Sequence, residues 1–305
     1  MGNRKMFGNS LLLLTALIWG TAFVSQRVGN SLIEPISFNA ARMALAAAAV
    51  GGLSLALRRR ERTSFSPDEL RDRDRQAVIG GVCCGVCLTV ASILQQTGLV
   101  TTTAGKAGFI TAMYMLLVPV IRLVFFRDRG TALVWSAVAL GVAGMYLLCV
   151  KDSFRLTRGD TLVCLCAVFF SAHILCCGHF ARRADPVTLS AVQFATAAVL
   201  SAAMAFLTEE PSWEKLAGAA VPILYCGIVS GGVGYTLQIT AQKYTDPTVA
   251  SLLMSMESVF AVLAGALLLS ERMTSRELAG CAVMFAAIIL VQLPSGRKDT
   301  TDPAG

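Results

Sequence analysis

Thr248–Leu293 reads TVASLLMSMESVFAVLAGALLLSERMTSRELAGCAVMFAAIILVQL. Two apolar runs, Thr248–Leu269 and Leu278–Leu293, flank a short charged hinge at Ser270, Glu271 and Arg272, followed by Arg276 and Glu277. About 20 residues of helix cross a bilayer core, so each run is near the length of one crossing. The economical reading is an antiparallel pair of membrane helices. An earlier stretch, Thr103–Leu148, has the same shape: apolar, broken at Arg127, Asp128 and Arg129, then apolar again. Asp128-Arg129 precedes Glu271-Arg272 by 143 positions, which marks a duplication.

The totals agree with a membrane chain. Of 305 residues, 55% are hydrophobic and 15% charged, where soluble domains carry about 25% charged residues. Mean hydropathy is +0.65. The net charge of +7 is no nucleic-acid signal; seven of the 26 Lys and Arg lie in one segment, Arg58–Arg75, suited to anionic lipid headgroups. All 10 cysteines fall inside apolar runs rather than loops, against a secreted disulfide framework. Cys84-x-x-Cys87 has metal-ligand spacing, but no second Cys or His pair stands near it in sequence, so packing is the favoured reading and no metal is expected. Met1–Ala22 has the basic start and Leu-rich core of a signal peptide. No small-x-small cleavage site comes after it, and the run continues to Val24, so it reads as the first span.

The sequence predicts an all-α integral membrane protein of ten spans: Gly8–Gln26, Pro35–Leu57, Gln76–Leu99, Thr103–Phe126, Thr131–Val150, Asp160–Phe180, Pro186–Leu207, Ala217–Ala241, Pro247–Leu269 and Ser275–Leu293. Pro35, Pro186 and Pro247 open spans, where a missing N–H costs nothing. The Pro- and Gly-punctuated tail 294–305 reads as disordered. Loop charge sets orientation. With the N-terminus inside, cytoplasmic segments hold 16 Lys and Arg and outer loops hold 7. Both termini are therefore expected in the cytoplasm of a cell-membrane protein.

The halves, residues 1–150 and 151–293, align throughout. Pro35 meets Pro186 at an offset of 151, which places Arg42 on Gln193. Gly81-x-x-x-Gly85 meets Gly227-x-x-x-Gly231 at 146, and Thr103 meets Thr248 at 145. Five spans per half is odd, so the second copy enters from the opposite side. Inverted repeats of this kind are a transporter architecture, with substrate bound near the midplane.

The second half, with Tyr235, Gln238, Ala241-Gln242-Lys243, Asp246-Pro247, Glu257, Ser270-Glu271-Arg272 and Leu278-Ala279-Gly280, resembles the EamA-type ten-helix branch of the drug/metabolite transporter superfamily. Ile18-Trp19-Gly20 and the Pro119 region are similar to that family's first half. Two positions depart from its pattern: Ser258 stands where a proline usually comes after the acid, and the first hinge reads Arg127-Asp128-Arg129. The resemblance implies efflux or exchange of small metabolites.

A charge inside a bilayer costs about 2.5–3.5 kcal/mol on insertion scales and needs a reason. Arg122 lies near a span end and can snorkel. Lys106, flanked by Gly105, Ala107 and Gly108, either snorkels or meets a ligand. Arg42 lies deeper, opposite the neutral Gln193, and suits an anionic group on one side of a pseudo-symmetric site. On span nine, Thr248, Ser251, Ser255 and Ser258 fall in one narrow polar stripe, with Glu257 on another face. Glu257 is a proton carrier or a protonated acid joining two helices, and His173 is a titrating relay or a satisfied donor. The substrate-binding candidates are Trp19, Arg42, Gln95, Lys106, Tyr114, Tyr235, Gln238, Ser251 and Ser255, with Glu257 and His173 for proton coupling.

The reading is a secondary transporter of small polar or amphipathic solutes such as amino acids, working by alternating access. No Walker-type loop is present and no cofactor is implied. A nucleotide-sugar or lipid carrier and a non-transporting membrane subunit stay open. An intramembrane enzyme would need a motif such as H-E-x-x-H or G-x-S-x-G, and neither occurs.

Overall fold

The computed structural model describes residues 2–61, 65–102, 104–149, 157–268 and 274–293. Within them every regular element is helical. Eight helices are long and apolar enough to cross a membrane, and two shorter apolar ones, Ala132–Leu147 and Leu278–Gln292, stand where spans five and ten were expected. The hinge at Ser270-Glu271-Arg272 and the tail 294–305 lie outside the described residues.

Spans one to three are Gly2–Asn30, Pro35–Glu61 and Pro67–Gly98. The basic segment Arg58–Arg75 is therefore largely helix rather than loop. Ser66 and Glu69 cause this by closing a capping box: the Ser66 hydroxyl accepts from the Glu69 amide, and Glu69 accepts from the Ser66 amide at 2.9 Å. Pro67 sits next, at the first helical position. The third span thus starts nine residues before its apolar part. Two cations of the basic segment are already engaged, Arg58 of span two with Asp74 of span three at 2.7 Å and Arg73 over the Phe65 ring.

Span four is two helices, Ala104–Thr111 and Tyr114–Phe126, and span nine is two as well, Pro247–Met254 and Glu257–Leu268. Each is interrupted by a tight turn in which backbone N–H groups bond three residues back, Met113 to Ile110 and Met256 to Leu253. Spans five, six, seven and ten are the helices Ala132–Cys149, Arg158–Phe180, Pro186–Thr208 and Ser275–Gln292. Span eight comes after a short helix, Trp213–Gly218, and changes winding along its length. It passes from Ala220–Leu224 through an eleven-residue π-helix, Tyr225–Tyr235, into Thr236–Gln242. π-Helical turns are rare and concentrate at functional sites. Span one braces this one: the Trp19 indole N–H donates to the Ser230 carbonyl at 3.1 Å, and the Thr15 hydroxyl donates to the Gly234 carbonyl.

The packing obeys one rule. Span three lies on six and seven, span eight on one and two, span one on nine, and span four on six. Spans two and seven pair, as do five and ten. Each pairing recurs when every span is replaced by its counterpart in the other half. The two GxxxG motifs make two of these contacts. A Cβ on Gly85 would sit 2.8 Å from the Gln193 carbonyl, and one on Gly227 would sit 2.9 Å from the Arg42 carbonyl, so only glycine permits these approaches.

Candidate functional site

The turns in spans four and nine lie at the centre of the bundle and face a cavity. Trp19, Ala22, Phe23 and Gln26 line it from span one, Arg42 from span two and Gln95 from span three. Thr111 and Tyr114 come from span four, Phe170 from span six, Ser230 and Tyr235 from span eight, and Glu257 from span nine. The room there for water-sized centres is ≈ 30 Å³, so the cavity is narrow in this conformation.

Its walls are aromatic and its charges are two. Trp19 and Tyr235 stack at 4.6 Å between ring centroids, tilted by 50°. Phe194 and His173 each meet Tyr235 edge-on, at 5.7 and 5.6 Å, and hold its ring from behind. Arg42 is 6% exposed and gives its Nε and Nη2 hydrogens to Asn39 Oδ1 at 3.0 and 2.8 Å. Asn39 is fixed in turn by donating to Ser92 and Ser201. Among the described residues no carboxylate pairs with Arg42. The guanidinium carbon also lies 6.0 Å from the centroid of the Phe38 ring. Glu257, 3% exposed, accepts a hydrogen bond of 3.0 Å from the Tyr114 hydroxyl. Gln26 adds a buried acceptor, Oε1, that has no partner among the described residues, and Gln95 donates to Thr111 at 3.1 Å.

Polar clusters stand at both ends of the bundle. At one end the carboxylate of Asp160, fully buried, takes Lys106 at 2.6 Å and the Thr102 hydroxyl, and caps its own helix through the Thr157 amide. At the other, Arg122 is held by Asp246, by Asp128 and by the Thr248 hydroxyl. Beside it Thr245 donates to Asn9 at 3.1 Å. The two ends correspond: Thr245 lies 143 residues after Thr102, and Asp160 lies 151 after Asn9.

Of the residues singled out from sequence, Trp19, Arg42, Gln95, Tyr114, Tyr235 and Glu257 converge on the cavity. Lys106 stands at the Asp160 end instead, and Gln238 is buried against Gln242. His173 lies one layer behind Tyr235, with its Nε2 3.0 Å from Gln193 Oε1. Ser251 and Ser255 lie off the cavity, and their hydroxyls bond the Thr248 and Leu252 carbonyls of their own helix, which lets these two serines pack as if apolar. Glu257, on the opposite face, is the residue of span nine that reaches the cavity. Gln26, Phe170 and Thr111 were not anticipated, and neither was Asp160 as the partner of Lys106. The signal for Asp160 was present as the capping box Thr157-x-x-Asp160.

The chain resembles known proteins along its whole length. The EamA-like transporter family matches residues 6–150 and again 157–293. An uncharacterized transporter of Archaeoglobus fulgidus is 29% identical over 292 residues, covering 96% of this chain and 88% of that one. A WAT1-related chloroplastic protein of Arabidopsis thaliana is 26% identical over 211 residues, covering 65% of this chain and 51% of its own. A solved crystal structure superposes with a TM-score of 0.74 at 18% identity, covering 93% of this chain and 96% of that one, which shows a shared fold. The chain therefore belongs to the EamA-like transporter family and is a membrane transporter of the drug/metabolite type.

Proposed function

We propose that the protein is a secondary transporter for small amino-acid-like solutes that carry a carboxylate, moving them by alternating access between two inverted halves. The observation that carries this reading is Arg42: a buried guanidinium on a cavity wall, with no acid beside it among the described residues. Charge-assisted, bidentate contact with a carboxylate is what such a group does best. Trp19, Tyr114 and Tyr235 supply an apolar body for the side chain of the solute, while Glu257 and Gln26 Oε1 supply acceptors for its ammonium. Glu257 is also the candidate carrier of a coupling proton.

Alternating access needs two closures that exchange. Lys106–Asp160–Thr102 at one end and Arg122–Asp246–Asp128 at the other are polar contacts that join segments from the two halves and break without exposing core. The loop charges favour the Arg122 end, with both termini, in the cytoplasm of a cell-membrane protein. Counterflow into proteoliposomes tests the substrate class. Zwitterionic amino acids and simple carboxylates are expected to exchange, with uncharged sugars and simple amines excluded. Exchange of amines or sugars with carboxylates inert overturns the reading.

A further inference from the structure

Cys84-x-x-Cys87 lacks a partner pair in sequence, and the fold supplies one. Spans three and six pack along their length, and Cys84 faces His173 and Cys177 across that interface. The Cys84 and Cys177 sulfurs are 3.7 Å apart, and Cys177 Sγ lies 3.5 Å from His173 Nε2 and 3.8 Å from Nδ1. All three ligand atoms fall within 4.8 Å of one another, and all three residues are buried. Gln193 Oε1 lies 3.0 Å from Nε2; in the tautomer that carries its proton on Nε2, Gln193 accepts it and the Nδ1 lone pair is available. Cys87 and Cys176 hydrogen-bond to each other across the same interface and are half-buried.

We propose that Cys84, Cys177 and His173 form a binding site for a divalent d10 cation of the Zn(II) class, with water in the fourth position. Three features favour it. Tetrahedral Zn–S bonds of about 2.3 Å and Zn–N bonds of about 2.05 Å put S···S edges near 3.8 Å and S···N edges near 3.6 Å, close to the separations present. Two thiolates and a neutral imidazole around a divalent ion sum to zero charge, which a bilayer interior accepts where it rejects an isolated ion. Soft sulfur and imidazole donors select this ion over Mg(II) or Ca(II). Binding releases the two thiol protons, and dissociation takes them back. The loaded site ties span three of the first half to span six of the second and fixes His173 behind Tyr235.

The full-length protein, reduced and stripped with chelator in detergent, is titrated with Zn(II) against a chromophoric competitor. The expected result is uptake of about one ion per chain, lost in the Cys84→Ser/Cys177→Ser variant and kept in Cys83→Ser and Cys164→Ser, whose thiols are exposed. Co(II) in place of Zn(II) should give thiolate-to-metal charge-transfer absorption that disappears in the same double variant. X-ray absorption on the Zn(II)-loaded wild type needs no variant to fold. At least two sulfur neighbours near 2.3 Å and a nitrogen near 2.0 Å support the site, and an all-oxygen shell overturns it. A Cys84–Cys177 disulfide in protein purified without reductant, with no Zn(II) uptake after reduction, overturns it too.

Discussion

Spans four and nine turn at matching places, yet the side chain that each turn presents is different. The Met113 N–H bonds the Ile110 carbonyl at 3.2 Å and the Met256 N–H bonds the Leu253 carbonyl at 3.3 Å, so the two backbones bend alike. The first turn delivers Tyr114 and the second Glu257, 143 residues later, and the two side chains hydrogen-bond to each other. The same contrast holds at Arg42 and Gln193: one faces the cavity, the other is buried against His173. The scaffold is repeated and the chemistry is not. A symmetric frame can present two equivalent routes, one toward each membrane face, while an asymmetric cavity gives the solute one way to bind.

Making the halves alike at the cavity should therefore cost the most. Arg42→Gln gives both halves the same residue. Losing a charge-assisted pair of about 1.5–3 kcal/mol corresponds to a roughly 10- to 100-fold weaker apparent affinity for a carboxylate solute. Counterflow measured against solute concentration reads this directly, with folding checked by gel filtration. Unchanged affinity would break the link between Arg42 and the substrate.

Glu257→Gln sharpens the contrast from the other side. The amide keeps an acceptor for the Tyr114 hydroxyl but carries no proton. Net transport driven by a pH gradient should vanish, while exchange between equal pools survives within a few-fold. Full gradient-driven transport in the variant would reduce Glu257 to a joint between spans four and nine. Loss of exchange in a folded variant would assign it to binding.

Much of this was legible before any coordinates. Span positions came from hydropathy, and Pro35, Pro186 and Pro247 marked three helix starts, because burial in lipid and a missing N–H are properties of residue type. Arg42 and Glu257 stood out because charge is rare in such runs. The face of span nine was not legible. A polar stripe points to a cavity only if its hydroxyls need outside partners, and those of Ser251 and Ser255 are satisfied by their own helix. The turns were hidden as well, since Ala112-Met113 and Ser255-Met256 contain neither Gly nor Pro. Cys84 and His173 are 89 residues apart in sequence, so only the fold could bring them together.

The smallest expected effect concerns the prolines that open spans two and seven. Each comes directly after an acid, Glu34 or Asp185. Asp185 does cap, accepting from the Thr188 amide at 2.8 Å. Glu34 turns away to Lys215, and its helix is capped instead by Glu209, which accepts from the Ile36 and Ser37 amides at 2.9 and 2.7 Å. Glu209 closes span seven at its other end, so the cap crosses from one half to the other. Glu209→Ala should cost about 1 kcal/mol, the usual worth of a helix cap, read as a lower melting midpoint in detergent. Glu34→Gln should cost less, because its pair with Lys215 is exposed and screened. Its hydrogen bond to Lys215 holds the Glu34 carboxyl below the ordinary range. The contribution of Glu34 is thus present above its unfolded pKa of about 4.3 and is lost as pH falls through the lower folded value. Lys215 is raised, chiefly by the same hydrogen bond, so the pair is lost at the alkaline end as pH rises through that raised folded value. Wild type and Glu34→Gln should therefore differ slightly at neutral pH and converge in acid, with Glu209→Ala below both at neutral pH. A larger loss in Glu34→Gln than in Glu209→Ala would mean that Glu34 is the working cap of span two, and that the two proline-opened helices start alike after all.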